Sequence, residues 1–178
     1  MILGLDISTS ITGYSILNLA GGVVKIGHWD TRNKNDFPDL FSKAQFIKEQ
    51  LKKINHLYPI DQIYIESALS MFMMGRSSSH TISILTKFNG IVSWICYEEY
   101  DVIPQYIPAI SARKKCGITI KKGTKAKTQV MSFLVDNEPD FPVEYTRNGN
   151  PKPHCYDEAD SLVIAKAGFE CLKERLRS

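Results

Sequence analysis

The first seventeen residues, MILGLDISTSITGYSIL, constrain the fold more than any other stretch. Ile2, Leu3 and Leu5 form a short apolar run that ends on a single acid, Asp6. A polar turn over residues 8–12 and Gly13 lead into a second apolar run of Tyr14, Ile16 and Leu17. Two such runs joined by Ser, Thr and Gly predict a strand, a turn and an antiparallel strand. A charge on an apolar first strand is costly unless it is paired, solvated or bound to a metal. Asp6 therefore has two readings from this stretch alone. It is an ordinary strand-end acid, or it belongs to a site completed further along the chain.

The pattern that follows predicts an α/β fold. Residues 23–29 read as a third strand after the turn Ala20-Gly21-Gly22, giving a small meander. Residues 37–57 keep apolar positions at helical spacing (Leu40, Phe41, Ala44, Ile47, Leu51, Ile54) until Pro59. Residues 61–66 (DQIYIE) read as a strand that again ends on an acid, Glu66. A helix is expected over 77–97 and a short strand over 101–106, where Pro104 argues for a sheet edge. A short helix after Pro108, another over 123–135 and a last one over 156–176 complete the series. Three strands followed by helix–strand–helix–strand and helices predict a mixed sheet in one domain spanning 1–178. Residues 137–153 hold four of the eight prolines and read as a long exposed loop.

Composition excludes several classes. At 43% hydrophobic and 23% charged residues the chain is ordinary globular protein. Cys96, Cys116, Cys155 and Cys171 show no C-x-x-C spacing, which predicts reduced thiols and supports neither a zinc site nor a disulfide framework. His28, His56, His80 and His154 are scattered, with no H-x-x-x-H pair. No apolar run approaches the roughly 20 residues of a membrane span, so no membrane partner is expected.

The acids then draw together. Asp157 and Asp160 stand three apart at the start of the last predicted helix and share one face. Acids in a first turn also arise simply from capping and the helix dipole. The apolar face after Asp160 nevertheless turns its side chain toward the sheet. Asp6 and Glu66 each finish a strand, and parallel neighbours would set those ends side by side. Carboxylates gathered there repel one another and titrate high unless a cation sits among them. A hard divalent ion with oxygen ligands, Mg²⁺ or Mn²⁺, answers that need. Two ions about 4 Å apart suit phosphodiester chemistry.

These residues resemble the RuvC Holliday-junction resolvases of the ribonuclease H-like superfamily. The resemblance rests on Leu3-Gly4-Leu5-Asp6 with Gly13-Tyr14, on Ile65-Glu66, on Lys127-Thr128-Gln129-Val130, and on Asp157-Glu158-Ala159-Asp160 with Leu162 and Ile164-Ala165. Order and spacing over nearly the whole chain make it specific. It implies a ribonuclease H-like fold with a central mixed five-stranded sheet flanked by helices. It implies Asp6, Glu66, Asp157 and Asp160 as metal-binding carboxylates for two Mg²⁺ ions, Mn²⁺ also being accepted, and Lys127 as the basic residue near the scissile phosphate. Two departures stand out: Ser8 where family members commonly have Gly, and a longer 137–153 loop. Glu158 is expected to be a bystander, since it points about 100° away from Asp157.

The expected partner is four-way junction DNA. Residues 102–135 contain no acid, while Arg113, Lys114, Lys115, Lys121, Lys122, Lys125 and Lys127 fall within fifteen positions. A charge run is usually a solvated face, but unrelieved self-repulsion favours an anion, and phosphate fits. The Met/Phe-rich segment after Glu66 either caps the core or, by the resemblance, enters the junction, with Phe72 stacking and Arg76 meeting phosphate. The resemblance also implies a homodimer, matching a two-fold symmetric substrate. Ile84, Phe88, Ile91 and Ile95 could supply the interface or be plain core, and Trp94 is a contact the core does not need. A cytoplasmic setting is expected, bacterial or in the replication compartment of a phage or virus. The competing functions are a nuclease of the same fold acting on flaps, other branched DNA or RNA–DNA hybrids, an actin-like sugar kinase or ATPase, and a junction-binding module that does not cut. The kinase reading lacks a second lobe and a phosphate-cradling Gly-rich loop.

Overall fold

Alternation along the first strand sends its side chains into two different cores. In the computed structural model, which describes residues 1–67 and 79–177, β1 (Ile2–Asp6) is central. It pairs antiparallel with β2 (Ile11–Leu17) and parallel with β4 (Gln62–Glu66). β3 (Val23–Asp30) adds antiparallel to β2, and β5 (Gln105–Ile107) adds parallel to β4. The mixed sheet thus has five strands in the order β3-β2-β1-β4-β5. The short β5 lies at the edge, as Pro104 in front of it requires.

Leu3, Leu5, Ile16, Ile63 and Ile65 pack against α1 (Leu40–Leu57) and α2 (Ser79–Tyr100). Ile2, Leu17 and Tyr64 face the opposite way, toward α3 (Ala109–Lys115), α4 (Ala126–Asn137) and α5 (Pro153–Arg177). By the same period of two, Gly4 and Asp6 share the α5 face with Ile2, and Glu66 shares it with Tyr64.

Small residues let α5 lie against the sheet. A Cβ on Gly4 would fall 2.5 Å from the Ala165 nitrogen, and one on Gly13 would fall 2.0 Å from the Asp157 carbonyl oxygen. Buried Ser15 and Ser161 hydroxyls meet at 2.8 Å between β2 and α5, and Ser161 Oγ donates to the Glu158 carbonyl.

Several boundaries differ from the sequence reading. Asp39 accepts from the Ser42 amide in a capping box, so α1 starts at Leu40 rather than at Phe37, and Phe41 points into solvent. Gly123 takes a left-handed φ of +83°, which keeps residues 123–125 out of α4. The last helix begins at Pro153, a residue favoured at a helix start, so Asp157 and Asp160 lie beyond its first turn. Capping therefore does not account for them. Phe88 and Ile95 are buried in the core, which removes them from any interface, whereas Trp94 is 63% exposed.

Candidate functional site

The sheet places four functional positions in one row. Asp6 on β1 pairs with Gly13 on β2, and Gly13 pairs with His28 on β3. On the other side the β1–β4 register, which ends on Leu5 opposite Ile65, carries Asp6 to Glu66 one step further. Asp6 and Glu66 thus end adjacent parallel strands, as the two acidic strand ends predicted. α5 crosses this row, and the Cβ that Gly13 lacks is what admits the backbone of Asp157 and Glu158.

Ser8 builds the turn that aims Asp6. Its hydroxyl accepts from the Ser10 amide at 3.1 Å and the Ile11 amide at 3.0 Å, and Thr12 Oγ1 donates to the Ser8 carbonyl at 3.2 Å. A side-chain-bonded turn of this type replaces the conformational freedom a glycine would bring.

Charge at the row is strongly perturbed. Burial, then repulsion from Glu66 and Asp160, holds the Asp6 carboxyl well above the usual carboxylate range, with Lys127 opposing. Glu66 is pushed up to about 7, first by burial and then by Asp160, against Arg113 and Lys127. Burial also raises Asp160, again opposed by Lys127. Lys127, from the first turn of α4, lies 3.1 Å from Asp157 Oδ1 and 3.4 Å from Asp160 Oδ2. Burial pulls its pKa down, but attraction to Asp160, Asp6 and Asp157 outweighs this and holds it above the ordinary lysine value. The four acids and Lys127 are therefore within electrostatic reach of one another. No three of the four carboxylates bring oxygens within 4.8 Å of each other. The Lys127 ammonium stands among them, with Arg113 close to Glu66 and Asp160.

The donor set fits a hard divalent cation in kind: it is all carboxylate oxygen, and burial holds Asp6, Glu66 and Asp160 above their ordinary range for want of positive charge.

The basic residues divide. Arg113 is close enough to lower both Glu66 and Asp160. With Lys114 and Ile118 it lines an open cavity of about 420 Å³. Lys115 is diverted to Glu174, at 2.7 Å. Lys121, Lys122 and Lys125 project from the loop before α4 and are exposed. Phe72 and Arg76 lie outside the described residues.

A second constellation escaped the sequence. His28, His154 and Glu158, far apart in the chain and outside any H-x-x-x-H spacing, converge with ligand atoms all within 4.8 Å. Glu158 is the residue expected to be a bystander. It points away from Asp157 as its helical position requires, but it is buried and bonded to His28 Nδ1 at 2.8 Å. The register of β3 against β2 was the missing information.

No protein-family model matches the chain, and no curated protein matches it in sequence. Solved structures match in fold. Thermus thermophilus RuvC superposes with a TM-score of 0.66 at 13% identity, covering 98% of this chain and 96% of that one. The same organism's RuvC in complex with a Holliday junction substrate gives 0.66 at 11% identity, with 97% and 94% covered. The yeast mitochondrial Holliday junction resolvase gives 0.62 at 15% identity, with 99% and 80% covered. Over nearly its whole length this chain has the ribonuclease H-like fold of those resolvases.

Proposed function

We propose that the protein is a divalent-metal-dependent endonuclease that resolves four-way DNA junctions by paired nicks. One observation carries the reading. Asp6, Glu66 and Asp160 sit at one end of the sheet with pKa values raised by burial and mutual repulsion, an arrangement costly to folding and useful for metal-assisted phosphoryl chemistry. The fold shared with junction resolvases supports the substrate class.

Asp6, Glu66, Asp157 and Asp160 would hold Mg²⁺ or Mn²⁺, as a pair of ions. When bound, such ions lower the pKa of a water and stabilise the leaving oxygen. The chain's own residues do the rest. Lys127, beside Asp157 and Asp160, would offer its ammonium to the non-bridging phosphate oxygens, where charge grows in the transition state. Arg113, beside Glu66 and Asp160, holds the neighbouring phosphate. Lys114, Lys121, Lys122 and Lys125 track the backbone of a duplex arm without reading sequence. Phe72 and Arg76 follow Glu66 in the chain and are proposed to enter the crossover.

A four-way junction has two equivalent scissile positions, so a homodimer is the matching assembly. Exposed Trp94 and Tyr97 on α2, with ring centroids 5.6 Å apart, supply an apolar patch together with Ile103 and Tyr106.

The test is cleavage of a synthetic four-way junction in Mg²⁺ by the wild type and by Asp6→Asn. The expected result is paired symmetric nicks from the wild type, with Asp6→Asn binding the junction but leaving it whole. Preferential cutting of flaps or RNA–DNA hybrids would reassign the substrate. Absence of any cutting, or equal loss of binding and cutting in Asp6→Asn, would overturn the reading.

A further inference from the structure

We infer that His28, His154 and Glu158 form a second metal site, selective for a borderline transition ion such as Zn²⁺ and separate from the carboxylate centre. The residues come from two elements that meet only in the folded chain: β3 supplies His28, and α5 supplies His154 and Glu158. The two imidazoles stack with centroids 4.1 Å apart and planes within 14°. The stack holds the two rings next to each other, and a shared ion requires one ring to turn so that its in-plane nitrogen lone pair meets that of the other. Glu158 Oε1 lies 2.8 Å from His28 Nδ1, and all three ligand atoms fall within 4.8 Å of one another. A tetrahedral ion with bonds of about 2.0–2.1 Å needs ligand atoms about 3.3 Å apart. Closure therefore takes rotation of the imidazoles out of their stack, which brings ligand atoms already within 4.8 Å of one another onto one ion.

The surroundings suit such an ion. Glu158 is 6% exposed, and a buried carboxylate gains from a fixed positive partner. His28 and His154 are half-buried, which leaves an open side for a water as fourth ligand. Glu144 Oε1 stands 3.8 Å from His154 Nε2 as a carboxylate able to orient a ligating imidazole. Two nitrogens and one oxygen select Zn²⁺ over Mg²⁺, whereas the all-oxygen acids on the far side of Gly13 select the reverse. The consequence is mechanical: an ion here ties β3 to the start of α5. It fixes the very turn that carries Asp157 and Asp160.

The experiment titrates Zn²⁺ into the full-length, metal-stripped protein in millimolar Mg²⁺. Calorimetry reads binding, X-ray absorption at the zinc edge reads ligands, and thermal denaturation reads linkage. The expected result is one Zn²⁺ per chain, two imidazoles in its scattering, and a midpoint raised by roughly 5 °C at 100-fold excess over Kd. His28→Ala and His154→Ala should each weaken binding at least about tenfold. Asp6→Asn and Glu66→Gln should bind Zn²⁺ as the wild type does, whether or not the protein cuts DNA. Zn²⁺ binding lost in Asp6→Asn but kept in His28→Ala would place the ion among the acids and overturn the proposal. So would absence of stoichiometric binding, or a zinc spectrum without imidazole. The spectrum on the wild-type protein decides the matter even where a histidine variant fails to fold.

Discussion

Gly13 and the Asp157 carbonyl oxygen are in closer contact than any side chain would allow: a Cβ at Gly13 would lie 2.0 Å from that oxygen. Asp6 is the register partner of Gly13, so the same glycine stands between the acid on β1 and the acid on α5. Gly13→Ala must push α5 away from the row. A destabilisation of about 1–3 kcal/mol is expected from overpacking, together with loss of cleavage as Asp157 and Asp160 move off Asp6. Urea denaturation and a junction-cleavage assay check this. An alanine variant with wild-type stability would mean that α5 floats freely over the sheet.

Glu66 contributes to the pH dependence of the metal-free protein. Its pKa is raised from 4.5 to about 7, so between these values the folded state binds more protons than the unfolded state. Its stabilising contribution is therefore full below about pH 4.5 and is lost as pH rises through 7. Glu66→Gln removes the charge that burial penalises. In chelator, the variant should melt at a higher temperature than the wild type at pH 8 and at the same temperature at pH 4. Asp6 and Asp160, shifted in the same direction, leave a residual slope of the same sign.

Lys127→Met removes the cation 3.1 Å from Asp157 and 3.4 Å from Asp160. Without it the carboxyl pKa values of Asp6 and Asp160 should rise further, which carboxyl-carbon NMR can follow. Cleavage should fall by about 10²-fold or more, the usual cost of removing one positioned charge from a developing oxyanion. Junction affinity should change little.

Salt dependence separates the exposed lysines from the paired one. Replacing Lys121, Lys122 and Lys125 together by Gln should reduce the slope of log binding constant against log salt by roughly 0.9 per lost phosphate contact. Lys115→Gln should leave that slope nearly unchanged, because Lys115 is held by Glu174 at 2.7 Å. Fluorescence anisotropy with a catalytically dead background variant at several salt concentrations measures both.

Trp94 is 63% exposed on α2 while its helix neighbours Phe88 and Ile95 are buried. Trp94→Glu should convert a dimer to a monomer in sedimentation velocity without altering the thermal midpoint extrapolated to low concentration. A wild type that sediments as a monomer at every concentration would remove the dimer from the mechanism.

The sequence by itself determined the strand–turn–strand opening, the mixed five-stranded sheet and the two acidic strand ends, because period-two alternation and terminal acids are local signals. It also determined that Asp157 and Asp160 share a face, since helical spacing is fixed by 3.6 residues per turn. Tertiary structure alone decided where α5 starts, and hence that its acids are not caps. It alone decided that Lys115 is paired with Glu174, 2.7 Å away, and so withdrawn from the basic run. It alone brought His28 to His154 and Glu158, 126 and 130 positions away in the chain. The physical reason is common to all three. Local periodicity fixes which way a side chain points, but strand register and helix docking fix what it meets, and those depend on contacts between segments that no local spacing encodes.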